Sequence, residues 1–229
     1  MNLNKHLEFF NPDELQDDIH IIGCGAVGST IAEQLARLGI KKLYLYDFDT
    51  VSAHNITNQV YLHKHIGRPK LHALAEILLS INPEIELILN HEGWKPHYTL
   101  SGYVFTTVDS IETRKQIVNE NLFNINIKAM FDVRIRLTDA QHFAAKWTQQ
   151  GKAFFLSTMN FTSEEAKAQT PVSACGTTLS INPSVRHICA TAVANLLNAI
   201  TNKGKFAKTV LVDTFNHTVE AYDDNGLIE

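Results

Sequence analysis

The strongest constraint in this chain lies between residues 19 and 47. A short apolar run, Ile19-His20-Ile21-Ile22, passes directly into Gly23-Cys24-Gly25-Ala26-Val27-Gly28. Beyond the glycines, Val27, Ile31, Leu35 and Leu38 recur at helical spacing, Gly39 ends the pattern, and residues 42–46 alternate up to Asp47. A buried strand, a glycine turn, an amphipathic helix and a second strand make a βαβ unit. Such glycines do more than turn the chain. Without side chains the backbone can approach a pyrophosphate, and the helix start adds unpaired N–H groups and a partial positive charge. Asp47 stands where such units place a carboxylate on ribose hydroxyls. A tight strand-to-helix turn with no ligand is the competing reading of the same residues.

The alternation continues downstream. Pro69 opens a helix with the stripe Leu71, Leu74, Leu78 and Ile81, and Asn82-Pro83 stops it. Residues 84–89 and 103–108 read as strands, and 110–121 as a helix with Ser110 as N-cap. Residues 127–137 are predicted to form a strand pairing with 142–147. Residues 186–200 follow helical spacing, and 209–213 and 218–222 form a hairpin around Phe215-Asn216. The expected fold is α/β: a Rossmann-like three-layer fold with a mixed sheet, parallel in its N-terminal half and antiparallel near the C-terminus. No linker composition interrupts the chain, so residues 1–229 are expected to form one domain. A mobile crossover segment is expected at about 150–178, its polar middle (162–170) reading as a lid or loop.

Composition removes several function classes. A net charge of −4 with no basic block argues against nucleic acid as the main partner. No apolar run approaches the roughly 18 residues that span a bilayer. Cys24, Cys175 and Cys189 include no Cys-x-x-Cys pair, so a paired-cysteine zinc site is not expected. Scattered thiols, and the lack of an apolar leader in residues 1–18, fit a reducing cytoplasm. His54, His63, His65 and His72 have no ligand spacing and read as solvated or hydrogen-bonding groups.

The βαβ unit alone suits NAD as well as ATP. The residues after it separate the two: Asp47-Phe48-Asp49-Thr50-Val51-Ser52-Ala53-His54-Asn55-Ile56-Thr57-Asn58-Gln59, then Gly67-Arg68-Pro69-Lys70. An NAD-linked oxidoreductase has no evident use for this amide cluster and lysine. A lysine at a helix start can reach phosphates and neutralise charge building on a departing pyrophosphate. Asp109 ends another strand, at the sheet edge where ligands bind in open α/β folds, and a carboxylate there suits Mg²⁺ shared with phosphate oxygens.

Four motifs in order, GCGAVGS, DFDTVSAHNITNQ, GRPK and the aspartate of TTVDS, make the chain resemble the ThiF/MoeB/HesA family, the bacterial relatives of ubiquitin-activating enzymes. The match is specific from about Asn11 to Asn121 and looser beyond. The resemblance implies ATP with Mg²⁺, a homodimer, and adenylation of the C-terminal carboxylate of a ubiquitin-like or sulfur-carrier protein or peptide. Carried over by position, the nucleotide-binding set is Gly23, Gly25, Ala26, Val27, Gly28, Asp47, Asp49, Asn55, Asn58, Gln59 and Lys70. Asp47 would bind the ribose, Asn55 would sit near the phosphates and metal, Lys70 would contact the phosphates, and Asp109 would hold Mg²⁺. Lys70, Asp109 and Asn55 form the catalytic set.

Three departures stand out. Asn58 replaces the arginine of an Asn-x-x-Arg-Gln motif, and asparagine cannot neutralise phosphate charge. Arg68, Arg114 or an arginine from a second subunit are the candidates to compensate. Residues 1–18 contain no arginine, although many members carry an N-terminal arginine motif. The zinc-binding cysteine pairs are missing, which suits a short, zinc-free branch with a Ser173-Ala174-Cys175-Gly176 segment. These departures also admit a second reading, an ATP-binding interaction module with altered chemistry. Cys175 is a candidate acyl acceptor, with a small buried residue as its alternative. Cys24 reads as a small residue tolerated in the glycine loop, Cys189 as core, and Trp94 and Trp147 as packing residues. Arg134 and Arg136, alternating on a strand, either line the cleft beyond Asp132 or decorate an exposed strand face.

Overall fold

A computed structural model describes residues 1–169 and 179–228. One nine-stranded sheet organises the chain. Strands β1 (Ile19–Ile22), β2 (Lys42–Tyr46), β3 (Glu86–Asn90), β4 (Gly102–Thr106) and β5 (Ile127–Ile135) run parallel. Strands β6 (Asp139–Lys146), β7 (Thr209–Asp213), β8 (Thr218–Asp223) and β9 (Gly226–Leu227) extend it antiparallel from β5. The order across the sheet is β3-β2-β1-β4-β5-β6-β7-β8-β9.

Helices cover both faces. Side chains of α1 (Ala26–Arg37), α2 (Lys70–Ile81) and α6 (Asn182–Thr201) pack with Ile21, Leu45, Phe105 and Phe131 in one core. On the other face α3 (Ile111–Glu120) and α4 (Gln149–Ser157) pack with Ile22, Val104 and Met130. Strand β4 is buried along its whole length, Tyr103 and Phe105 pointing one way and Val104 the other. This two-sided burial is why parallel strands read as apolar runs. Cys24, Cys189, Trp94 and Trp147 are all core residues.

The sequence expectation and the fold differ at residues 162–170. Residues Ser163–Gln169 form helix α5. Thr162 and Glu165 close a reciprocal cap: the Thr162 N–H donates to Glu165 Oε2 at 2.8 Å and the Glu165 N–H to Thr162 Oγ1 at 3.2 Å. That Thr-x-x-Glu spacing is a helix-start signal, which outweighs the polarity that suggested a loop. The later part of the expected crossover, residues 170–178 with Cys175, lies outside the described residues. Strand β9 was not expected, and the polar stretch after β2 contains two 3-10 turns, Ala53–Thr57 and His63–His65.

Register explains how the candidate residues converge. Ile22 pairs with Tyr46 and with Thr106, and Thr106 pairs with Asp132. These four residues form one row across the sheet. The next residues, Gly23, Asp47 and Thr107, therefore leave the sheet at the same carboxyl edge. The chain runs from β1 outward through β2 and β3, then returns to the other side of β1 with β4. The gap between the β1 and β4 loops is thus the topological switch point, where α/β sheets bind ligands.

Candidate active site

The glycine loop is held from three sides. Gly23 has φ +93°, and a Cβ there would meet the Thr107 carbonyl at 2.9 Å. A Cβ on Gly28 would lie 1.9 Å from the Gly23 oxygen, so the loop folds onto its own helix at that point. The Thr107 hydroxyl donates to the carbonyls of Gly23 (2.6 Å) and Ile22 (3.0 Å). The Tyr61 hydroxyl donates to the Cys24 carbonyl at 2.7 Å. Gly25 is different, because a Cβ there meets nothing within 4 Å. It stands at the N-cap of α1, with no side-chain cap, so the first N–H groups of the helix face an open cradle.

Gly28→Ala is expected to destabilise the protein by about 1–3 kcal/mol, since the methyl meets backbone that cannot yield cheaply. Urea denaturation measures this directly; an unchanged midpoint would show that the loop has room to relax.

Asp47 is buried, and both of its oxygens are engaged. Oδ2 accepts the Cys24 N–H at 2.6 Å and Oδ1 the Asp49 N–H at 2.8 Å. The carboxylate expected at the ribose thus also joins the glycine loop to the end of β2. Burial, and next the Asp47 charge, push the Cys24 thiol up, so it stays protonated. Lys70, at the start of α2 and only 8% exposed in its side chain, donates through Nζ to Asp49 Oδ2 at 2.7 Å. Its N–H also donates to the Asp49 carbonyl at 2.9 Å. Asp49 is half-exposed, so the ammonium is anchored at the rim of the cleft rather than sealed beneath it.

Asn55 is buried in the 3-10 turn, its Oδ1 accepting the Ser52 N–H at 2.8 Å. Gln59 keeps a buried Oε1 with no partner among the described residues. Asn58 donates to the Ser180 hydroxyl at 2.6 Å, just before α6. Asp109 is exposed between β4 and α3; it accepts no hydrogen bond among the described residues and lies in the field of Arg114. Phe48, which the sequence reading did not single out, is 76% exposed between the two aspartates. A large aromatic so open beside an anion cradle was signalled only by its position in the motif.

The histidines divide by environment. His65 is fully buried: its Nδ1 accepts the Leu62 N–H at 3.0 Å, and its Nε2 meets Glu76 at 3.5 Å. His72 sets its ring edge-on to His91. No cluster of three or more His, Cys, Asp or Glu arranged for a metal is found among the described residues.

The sequence profile of the ThiF family matches residues 11–224. The chain belongs to the ThiF family. Curated relatives are more distant and partial. Ubiquitin-like modifier-activating enzyme 5 of Dictyostelium discoideum is 36% identical over 92 residues, 40% of this chain and 21% of that protein. The Arabidopsis thaliana enzyme of the same name is 41% identical over 69 residues, 30% and 16% of the two chains. The match thus spans about a fifth of the length of such relatives. Among solved structures, PaaA superposes with a TM-score of 0.69 at 16% identity, over 99% of this chain and 72% of PaaA. Escherichia coli MccB, in a structure with AMPCPP and MccA, reaches 0.74 at 14% identity, over 93% and 65%. At these identities the structural likeness shows the ThiF fold.

The position of Asn58 gains weight in this ThiF chain from the other arginines. All six are in ion pairs: Arg37 and Arg186 with Glu33, Arg68 with Glu76, Arg114 and Arg134 with Asp132, and Arg136 with Asp139. Arg68 and Arg114, the two in-chain candidates to replace the motif arginine, are therefore committed. Arg134 meets an internal carboxylate instead of presenting itself to a cleft. No helix among the described residues is long and apolar enough to cross a membrane.

Proposed function

We propose that this chain is an ATP-dependent adenylyltransferase that activates the C-terminal carboxylate of a ubiquitin-like or sulfur-carrier protein, or of a peptide. The observation that carries the reading is the open cradle at Gly25, at the sheet's switch point, with Lys70 at the start of α2 and Asp109 on the loop after β4. A triphosphate suits the cradle, with its ribose toward Asp47 and its adenine against the exposed face of Phe48. Asp47, Asp49 and Asp109 against one lysine leave the site negative, so a triphosphate needs added cationic charge. Asp109, exposed and without a hydrogen-bond donor among the described residues, fits Mg²⁺, which would supply neutralisation of the phosphate oxygens.

In the reaction the substrate carboxylate attacks the α-phosphorus. The bond between that phosphorus and the bridging oxygen breaks, and pyrophosphate leaves with the electron pair. The carboxylate is already anionic and needs no general base. Lys70, oriented by Asp49, stabilises the charge that builds on the phosphates, and the site works mainly by positioning and neutralisation. Cys175 is the candidate to accept the acyl group; a thioester that survives Cys175→Ala would exclude it. A homodimer and a cytoplasmic location complete the reading.

ATP–pyrophosphate exchange tests it, with and without a partner ending in Gly-Gly. Exchange that needs the partner supports the proposal. NADH binding without ATP binding in calorimetry would overturn it in favour of an oxidoreductase. A second reading, an ATP-binding interaction module of the same fold, is favoured by Asn58 and the six committed arginines. Asn58→Arg separates the two readings. If turnover is limited by the missing guanidinium, this variant should raise exchange by about 10–100-fold, less than the 10²–10³ that one such donor contributes elsewhere, because it also breaks the Ser180 bond. Tight ATP binding with no exchange in either protein would select the module.

A further inference from the structure

Among the described residues Asp109 accepts no hydrogen bond, yet its turn is gripped from behind. Arg114, one turn into α3 and buried, donates through Nη1 to the Thr106 carbonyl at 2.9 Å and to that of Val133 at 3.3 Å. Its Nη2 donates to the Val108 carbonyl, the peptide immediately before Asp109. The same guanidinium pairs with Asp132, which is 0% exposed on β5, in the row of Thr106. Asp132 also accepts from Arg134 Nε at 2.8 Å, and from its Nη2. Arg134 is fixed in turn. Its Nη1 donates to the Thr158 carbonyl at 2.7 Å, and its guanidinium lies 4.7 Å from the Phe143 ring centre and 5.3 Å from that of Phe161.

The α3 side of the turn is tied to the same region. Lys115 donates to the Phe161 carbonyl at 2.7 Å, and Glu112 accepts the Ser163 N–H at 3.0 Å. One buried and one partly buried cation sharing a buried carboxylate are a costly way to pack a core, since apolar side chains of similar volume often serve as well or better. The network is not spread through the core. Its centre, Arg114, holds three carbonyls, two of which lie within three residues of Asp109.

We propose that Arg114 and Asp132, braced by Arg134, are positioning residues for Asp109: they set where its carboxylate is presented to metal-bound phosphates. The proposal rests on the reading of Asp109 as the Mg²⁺ ligand. A planar guanidinium can hold the Thr106, Val108 and Val133 carbonyls together while facing Asp132. A lysine ammonium keeps the charge but cannot span that fork of acceptors. Arg114→Lys should therefore keep the fold and loosen the turn.

The test is calorimetric titration of the intact chain with ATP over a series of Mg²⁺ concentrations, for wild type, Asp109→Ala, Arg114→Lys and Arg134→Lys. The Mg²⁺ concentration at half-maximal ATP affinity should rise about tenfold in Arg114→Lys, the lower end of the effect of removing a group that orients a metal ligand. It should rise less in Arg134→Lys, whereas ATP affinity without Mg²⁺ should stay within about twofold of wild type in both, since the phosphate cradle is untouched. A Mg²⁺ requirement that moves in Asp109→Ala but in neither arginine variant overturns the positioning role and leaves the metal-ligand reading standing. Equal losses with and without Mg²⁺ in Arg114→Lys also overturn it, because they mark a general structural defect. If Asp109→Ala leaves the Mg²⁺ requirement unchanged, the metal-ligand reading fails and the positioning proposal falls with it. Should Arg114→Lys fold poorly, Arg134→Lys decides by the same criterion, its guanidinium being one step further from the turn.

Discussion

Replacing Lys70 by methionine should lower ATP–pyrophosphate exchange by about 10²–10³ while the protein stays folded. The size of the effect follows from the charge balance of the cleft. Among the described residues Lys70 is the one cation that the Asp47–Asp49 turn holds at the site, and every arginine of the chain is neutralised by a carboxylate. With Asn58 in place of the motif arginine, no guanidinium stands ready to share the load. Methionine keeps the buried stem of Lys70 and removes only the ammonium. Asp49, half-exposed, can then turn to water, so the thermal midpoint should move by no more than a few degrees. Exchange that persists within threefold of wild type would exclude Lys70 from the chemistry and shift attention to cations of a second molecule.

Acidification should unfold the protein sooner than its carboxylates alone would dictate. His20 and His142 are buried within the sheet, and burial holds them down at about 4 and about 3. His20 takes a Ser101 N–H at 3.3 Å and meets the Tyr46 hydroxyl at 2.9 Å; His142 faces Asn195 at 3.0 Å. Both are neutral in the native state, whereas in the unfolded chain they take up protons near pH 6.5. Folded values below the unfolded one mean that the unfolded state binds more protons throughout the window between them. Stability is therefore full above about pH 6.5 and falls as the pH drops toward 4. The loss is about 1.4 kcal/mol per histidine for each pH unit, or on the order of 4 kcal/mol for the pair by pH 5. Urea denaturation at pH 7.5, 6 and 5 should show a slope approaching two protons. His142→Gln should halve that slope, and a flat profile down to pH 5 would show that the folded protein admits the protons.

Much of this protein is legible in its sequence because local and global signals agree. The glycine loop, the Leu71–Leu78 stripe and the Ser110 cap each predict an element at the place where it forms. The antiparallel turn of the sheet after β5 was also readable, since polar and apolar residues alternate there. At residues 162–170 a polar composition conceals a helix start that only the Thr162–Glu165 cap marks. The site is harder to read. Motif order brings Asp47, Asn55, Lys70 and Asp109 together by resemblance, but their present partners follow from three-dimensional contact. Nothing in the sequence says that Asp47 holds the Cys24 amide, or that Asn58 meets Ser180 across 122 positions. The Arg114–Asp132–Arg134 cluster was equally hidden, because a lone arginine on a helix looks the same whether it faces water or a buried carboxylate.

The contrast between Gly25 and Gly28 bears on how this protein tolerates change over generations. Gly28 is enforced by the chain's own atoms, so selection for folding alone would preserve it. Gly25, at φ −76°, stays out of the left-handed region and has a neighbourhood that would admit a methyl group. A lineage that kept the fold but lost its small-molecule partner would be free to drift at position 25 while remaining fixed at 28. A library sorted only for soluble expression should reproduce that pattern within a single experiment.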